Sequence, residues 1–438
     1  MKGIVSQDIV KKAMEEVGIS SMGKASIREI KKIVDIIEEK SGVRFIRMEM
    51  GIPGLPPVQI GTEAEIEALR RGVASIYPDV MGIPSLKDEI SRFVKNFLDI
   101  DVRPDGCIPT VGSMQGGFAS FLTLQRIDKQ KDTLLFIDPG FPVQKQQARI
   151  LGSKLVSFDV YNYRGDKLRG KLEEILSSGK VFALIYSNPN NPAWICFTEK
   201  ELQIIGEVAQ KYDVVVIEDL AYLGMDFRKD YSHPGQPPFQ PTVAKYYDQY
   251  ILLISSSKAF SYAGQRIGML VVSDALYHRE FPDLVPYFGT SNFGHAMIYG
   301  TIYALSSGTA HSAQYALLAI LKAVNNGTYN FRDDVIIYGK KAAVMKEAFL
   351  NNGFQLVYDQ DDGEPLADGF YFTIKYPGLT SDQLLYELLQ YGISAISLLT
   401  TGSESQEGIR ICVSLVGMDQ MDDLKKRLDL FRKEHPQA

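Results

Sequence analysis

Apolar and polar positions along this chain repeat with two periods, and the switches between them mark its elements. Two stretches near the start repeat at helical spacing, Gln7 to Val17 and Ser26 to Glu39. In the second, Ile27, Ile30, Ile33, Val34 and Ile37 share one face. A short strand is expected from Phe45 to Met50, followed by a stiff loop, Gly51-Ile-Pro-Gly-Leu-Pro-Pro57. Short apolar runs then predict strands at Thr133–Ile137, Lys154–Phe158, Val181–Tyr186, Val214–Ile217, Tyr250–Ile254 and Gly268–Val272. Amphipathic helices are expected between several of them, at Ser113–Gln125, Val143–Leu151, Leu168–Leu176 and Glu199–Lys211. From Arg332 to Leu350 the pattern is one long helix. Strands near Phe370–Ile374 and Ile409–Ser414 follow, with helices near Ser381–Gln390 and Asp419–Lys433.

Strands alternating with helices predict an α/β fold, a mostly parallel sheet covered by helices on both faces. The later elements predict a smaller α+β domain. The expected division is residues 1–50, N-terminal helices attached to the small domain, then 51–330, a large domain, and 331–438, the small C-terminal domain. With 438 residues the chain has ample core, and 45% hydrophobic and 23% charged residues is the composition of a globular protein. A net charge of −6 without any basic block argues against nucleic acid and membrane surfaces as partners. Three scattered cysteines and five histidines without ligand spacing exclude a disulfide framework and argue against a zinc site, so a cytoplasmic location is the default. Leu284 to Leu321 carries no Asp, Glu, Lys or Arg, yet Gly289, Asn292, His295 and Ser306 to His311 interrupt it. The expectation is buried helices at a subunit contact, with no membrane span.

The chemistry concentrates at strand ends. Ile251 to Ser255 runs into Ser-Ser257-Lys258, with Arg266 eight positions on. A desolvated lysine condenses with aldehydes, while hydroxyls and a guanidinium suit a phosphate ester. The bland alternative is a surface turn with a solvated lysine. Gly112-Ser113-Met114 opens a helix and leaves backbone N–H groups free for a phosphate, although glycine turns into helices are common. Phe141, after a strand, offers a ring for a planar ligand or ordinary packing. Asn191 sits among prolines, as turn chemistry or as an amide aimed at a ring oxygen. Val214 to Ile217 ends in Glu218-Asp219-Leu-Ala-Tyr222; a buried acid needs a partner, and Asp219 would find one in a protonated pyridine nitrogen. An N-cap or metal ligand is the other reading, but Glu218 and Asp219 point to opposite faces of a strand. Arg410, inside an apolar strand, suits bidentate binding of a carboxylate or a structural salt bridge.

In this order the motifs resemble the fold-type I pyridoxal-phosphate (PLP) enzymes, specifically the class I/II aminotransferase family, over nearly the whole chain. The specific part is Asp219-x-x-Tyr222, then Ser255-x-Ser257-Lys258 and Arg266. The resemblance implies an aminotransferase exchanging an amino group between an L-amino acid and a 2-oxo acid through a Lys258 Schiff base. It implies Asp219 on the pyridinium, Tyr222 and Asn191 on the ring oxygen, and Phe141 stacked on the ring. The phosphate would be held by Gly112, Ser113 and Met114 with Ser255, Ser257 and Arg266. Arg410, with Gly51 nearby, would take the substrate α-carboxylate. Tyr77 matches a tyrosine lent to the neighbouring subunit's phosphate, which implies a homodimer with shared sites.

The chain departs from the family where Ala193-Trp194 follows Pro192 in place of Thr-Gly, and where Leu398 to Ser403 replaces a Pro-Gly near the substrate. No arginine lies between Arg279 and Arg332, where aspartate-type members carry a side-chain clamp, so dicarboxylic acids are not expected to be read by that route. Two rivals share the scaffold. A PLP-dependent lyase, acting on carbon–sulfur bonds or as a decarboxylase, would use the same residues. A non-catalytic PLP-binding regulatory domain would follow a DNA-binding module, whereas about 25 residues precede the Ile27 helix.

Overall fold

The computed structural model describes residues 3–436, so residues 1, 2, 437 and 438 of the expected outer domains lie outside it. Seven strands form the central sheet. Across it they run Cys107–Thr110, Gly268–Val272, Tyr250–Ser255, Val215–Leu220, Val181–Ser187, Thr133–Asp138 and Lys154–Asp159. Gly268–Val272 alone is antiparallel to its neighbours; every other pairing is parallel. Both faces are buried, and successive side chains enter two separate cores. Leu134, Phe136, Ile251 and Leu253 face one; Leu135, Ile137, Leu252 and Ile254 face the other. That double burial makes the strands read as continuous apolar runs.

The helices expected between strands form at Gly112–Leu124, Pro142–Ile150, Lys167–Leu176 and Glu199–Tyr212. Glu199–Tyr212 begins with a reciprocal Thr198–Glu201 capping box, as Ile27–Ser41 does with Ser26 and Glu29. The expected Phe45–Met50 strand is only Ile46–Arg47, and it pairs in parallel with Ile393–Ser394 near the C-terminus. A four-stranded antiparallel sheet there runs Ile396–Ser397, Ile409–Cys412, Tyr371–Lys375 and Gln355–Leu356, flanked by Phe331–Leu350, Ser381–Gln390 and Met421–Glu434.

Periodicity missed several elements. Cys107–Thr110 contains Pro109, which an edge strand accepts because one side needs no ladder hydrogen bond. The helices Gln59–Arg70 and Pro84–Leu98 were not singled out. Leu284 to Leu321 holds a π-helical segment, Ala296–Ile302, and the helix His311–Asn325. These bury Met297, Ile298, Leu317 and Leu321, while Tyr299 of the first and Tyr303 and Leu305 of the short helix Tyr303–Ser306 are exposed. No helix among the described residues is long and apolar enough to cross a membrane.

Candidate functional site

Parallel strands end at one edge of the sheet, and the chemistry-bearing residues collect there. Ser255 closes its strand and caps the short helix Ser256–Ala259, which carries Lys258; the Ser257 N–H donates to Ser255 Oγ at 3.1 Å. Ser187 and Asp219 end adjacent strands in register. These residues and Arg410 from the small sheet line one cavity of about 290 Å³.

Lys258 Nζ donates to the Gly51 carbonyl and stands 5.4 Å from the Phe370 ring centre. Burial pushes its amine down to about 8, helped by the charges of Arg410 and Arg266. Asp219 is buried; its Oδ2 accepts from Gln144 Nε2 at 2.7 Å and its Oδ1 from the Ala221 N–H at 3.1 Å. No cation pairs with it among the described residues, and burial pushes its carboxyl up to about 6. Glu218 faces away from it, accepting from Thr242, Asn188 and Val243, and burial lifts it to about 7.

Tyr222 is buried with its hydroxyl 2.7 Å from that of Tyr371. Asn191 Oδ1 accepts from Arg410 Nη1 at 3.2 Å, which leaves the amide nitrogen as a donor. Arg410 is 2% exposed; its Nη2 donates to the Glu49 carbonyl at 2.7 Å, and its Nε has no partner among the described residues. No carboxylate pairs with it among the described residues, so the plain salt bridge is not what holds it. Ser113 and Met114 begin the helix Gly112–Leu124 on the cavity wall. Gly112 has φ +64°, and a Cβ there would lie 2.6 Å from Arg266 Nη2, so only glycine lets the guanidinium approach this helix start. Arg266 donates to the Ala263 carbonyl and has no carboxylate partner among the described residues.

Gly51, Ser113, Met114, Phe141, Asn191, Asp219, Tyr222, Ser255, Ser257, Lys258, Arg266 and Arg410 all line the cavity, and Gly112 adjoins it through Arg266. Tyr77 does not; it is 91% exposed. Sequence reasoning missed Gln144, Gln147, Ser187 and Tyr371. Gln144 stands one turn after Phe141 on an otherwise polar helix, where no pattern marks it. Tyr371 sits in an aromatic run, Phe370-Tyr-Phe372, that reads as core.

A planar cationic ring bearing an aldehyde and a phosphate fits these groups. A buried carboxylate without a cation among the described residues and a desolvated amine line the same cavity. An unpaired guanidinium lies at a helix N-terminus. The family model for aminotransferase class I and II matches residues 44–428. The Bacillus subtilis (strain 168) protein YugH is 25% identical over 405 residues, 92% of this chain and 95% of its own. A Methanocaldococcus jannaschii protein named "Probable aspartate aminotransferase" is 28% identical over 313 residues, 72% of this chain and 74% of its own. The fold matches the aspartate aminotransferase of Thermotoga maritima with a TM-score of 0.75 at 18% identity, covering 96% of this chain and 99% of that one. The chain belongs to the class I and II aminotransferase family, with its fold-type I architecture. It is a pyridoxal-phosphate-dependent enzyme that moves an amino group between an amino acid and a 2-oxo acid.

Proposed function

We propose that this cavity is the transamination site, with Lys258 as its covalent anchor and proton carrier. The observation that carries the reading is a buried amine and a buried carboxylate, neither with a counter-charge among the described residues, lining one cavity. Pyridoxal phosphate, when bound, supplies a cationic ring that takes up electrons from the Cα bond of an attached amino acid. Asp219 holds the ring-nitrogen proton, and a cation beside it reverses the rise that burial imposes on its carboxyl. Gln144 fixes the orientation of that carboxylate. Phe141 packs on the ring, and Tyr222 with the Asn191 amide donates to the ring oxygen.

The N–H groups opening Gly112–Leu124, from Gly112 to Met114, hold the phosphate together with Ser255, Ser257 and Arg266. Arg410 receives the substrate α-carboxylate beside the Gly51 backbone, which selects the Cα bond to be broken. Lys258 Nζ takes the proton from Cα and returns it, as an amine titrating near neutrality can. Besides Lys258, Arg266 and Arg410 no cation among the described residues lines the cavity, whereas Ile27, Met50 and Ile52 do. That lining supports an uncharged, apolar or aromatic substrate side chain.

A homodimer is part of this reading. Tyr77 and the apolar surface of Tyr299, Tyr303 and Leu305 are exposed, which supports a covered face and a tyrosine lent to the partner. The division at residues 50 and 330 is proposed on the pairing of Ile46–Arg47 with Ile393–Ser394, which ties the N-terminal segment to the C-terminal part. A cytoplasmic location is supported by three free, buried cysteines.

Reconstitution tests the anchor. Coenzyme uptake by the free protein should give the visible absorption of a lysine-bound aldehyde, at a rate that rises with pH and levels off above about 8 as Lys258 loses its proton. Lys258→Ala should lack both the band and turnover; a variant that keeps either refutes the assignment.

A further inference from the structure

Tyr371 has no part in the chemistry above, yet it joins the two ends of the site. Its hydroxyl lies 2.7 Å from that of Tyr222, and the Arg410 guanidinium carbon stands 4.5 Å over its ring centre. A Cβ at Gly51 would lie 2.2 Å from the same hydroxyl, so the backbone that meets Lys258 also closes over Tyr371.

Behind the pair is Trp194, the only tryptophan of the chain, in the segment Pro192-Ala-Trp194 that follows Asn191. It is fully buried and meets Tyr222 at 5.4 Å and Tyr371 at 6.1 Å, edge-on to both. Its backbone holds φ +64°, a left-handed conformation that bulky side chains rarely adopt and that persists only where the surroundings impose it. Gly369 provides the room, since a Cβ there would lie 2.0 Å from Trp194 Cε2. The indole Nε1 has no hydrogen-bond partner among the described residues, so the ring is held by shape. Three aromatic rings and a stacked guanidinium thus form one rigid wall.

We infer that Tyr371 is a positioning residue with two separable tasks: its hydroxyl orients the proton of Tyr222, and its ring is the support under Arg410. This rests on the roles proposed for Tyr222 and Arg410. A phenol has one proton, so when Tyr222 accepts from Tyr371 its own proton is directed toward the coenzyme oxygen. Chained donors strengthen one another in a dry site, so the Tyr222 donor is stronger for it. The ring task is independent of the hydroxyl, because a cation is attracted to the face of phenylalanine as well.

The two variants Tyr371→Phe and Tyr371→Leu separate the tasks in the coenzyme-loaded enzyme. Tyr371→Phe should move the pH titration of the lysine-bound coenzyme's absorption upward, since a weaker Tyr222 stabilises the anionic ring oxygen less. It should lower kcat about 5- to 10-fold, the loss expected for one hydrogen bond, with KM for the amino acid unchanged. Tyr371→Leu should show the same titration and also raise KM several-fold. Unchanged Trp194 fluorescence in Tyr371→Phe shows the wall in place. A Tyr371→Phe enzyme that titrates as the parent does, or equal KM values in the two variants, overturns the inference while the site assignment stands. A parent enzyme without a pH-dependent lysine-bound band instead refutes the underlying reading.

Discussion

Asp219 carries a cost in the coenzyme-free chain that follows from its burial. Its carboxyl, near 3.8 when exposed and about 6 here, holds a proton more tightly in the folded than in the unfolded state. The penalty is absent at pH below the unfolded value, grows as pH rises toward 6 and is complete above it, at about 3 kcal/mol. Asp219→Asn should therefore withstand more urea than the parent at pH 8 when coenzyme is absent, with the difference vanishing as pH falls below the unfolded value of 3.8. The same variant should lose about 100-fold or more in kcat, because an amide cannot hold the ring-nitrogen proton. A variant that is less stable at pH 8 refutes the unpaired carboxylate. Asp219 was legible because a charged residue ending an apolar strand demands a partner; Gln144, which orients it, was not, because glutamine on a polar helix face carries no such demand. Lys258 was legible through its company, the Ser255 and Ser257 hydroxyls and Arg266 after a buried strand, and Tyr371 was hidden because an aromatic among aromatics reads as packing.

Elements follow from periodicity where one or both faces are buried along their whole length. The six expected strands of the central sheet all form, ending no more than three residues from the expected bounds. Strands of two residues and the edge strand bearing Pro109 are defined by their partners, so no local pattern announces them. Tertiary packing also shapes the position of Trp194, whose left-handed backbone is held in its turn by an N–H that donates to the Asn190 carbonyl and whose ring fills the Gly369 gap against the Tyr222–Tyr371 wall. Gly369→Ala should cost about 1 to 3 kcal/mol or more through overpacking, read as a lower urea midpoint, with Trp194 emission shifted to the red. Wild-type stability and emission would show that the strand start yields freely.

At the scale of the whole molecule, the proposed dimer brings Tyr77 of one chain to the phosphate of the other. A mixing experiment tests it. Tyr77→Ala and Lys258→Ala each leave defective sites, but a mixed dimer pairs an intact Lys258 with an intact partner tyrosine. At limiting coenzyme, co-refolded chains should recover activity that neither variant shows alone, and sedimentation should give twice the chain mass. No recovery, with dimers formed, removes Tyr77 from the site. The exposed Tyr299, Tyr303 and Leu305 explain why a long stretch without charge is not wholly interior: its helices bury one side and present the other.

The sequence by itself determined the kind of sheet, most of its strands and covering helices, and a set of candidate residues for the chemistry. Each of these is a local consequence of period, turn residues or an unpaired charge. Only the tertiary structure decided which of those residues meet. Arg410 and Asn191, more than 200 positions apart, touch because strand ends from two sheets converge, and Trp194 locks behind Tyr222 and Tyr371 for the same reason. Such contacts depend on the packing of distant segments, which no local pattern encodes.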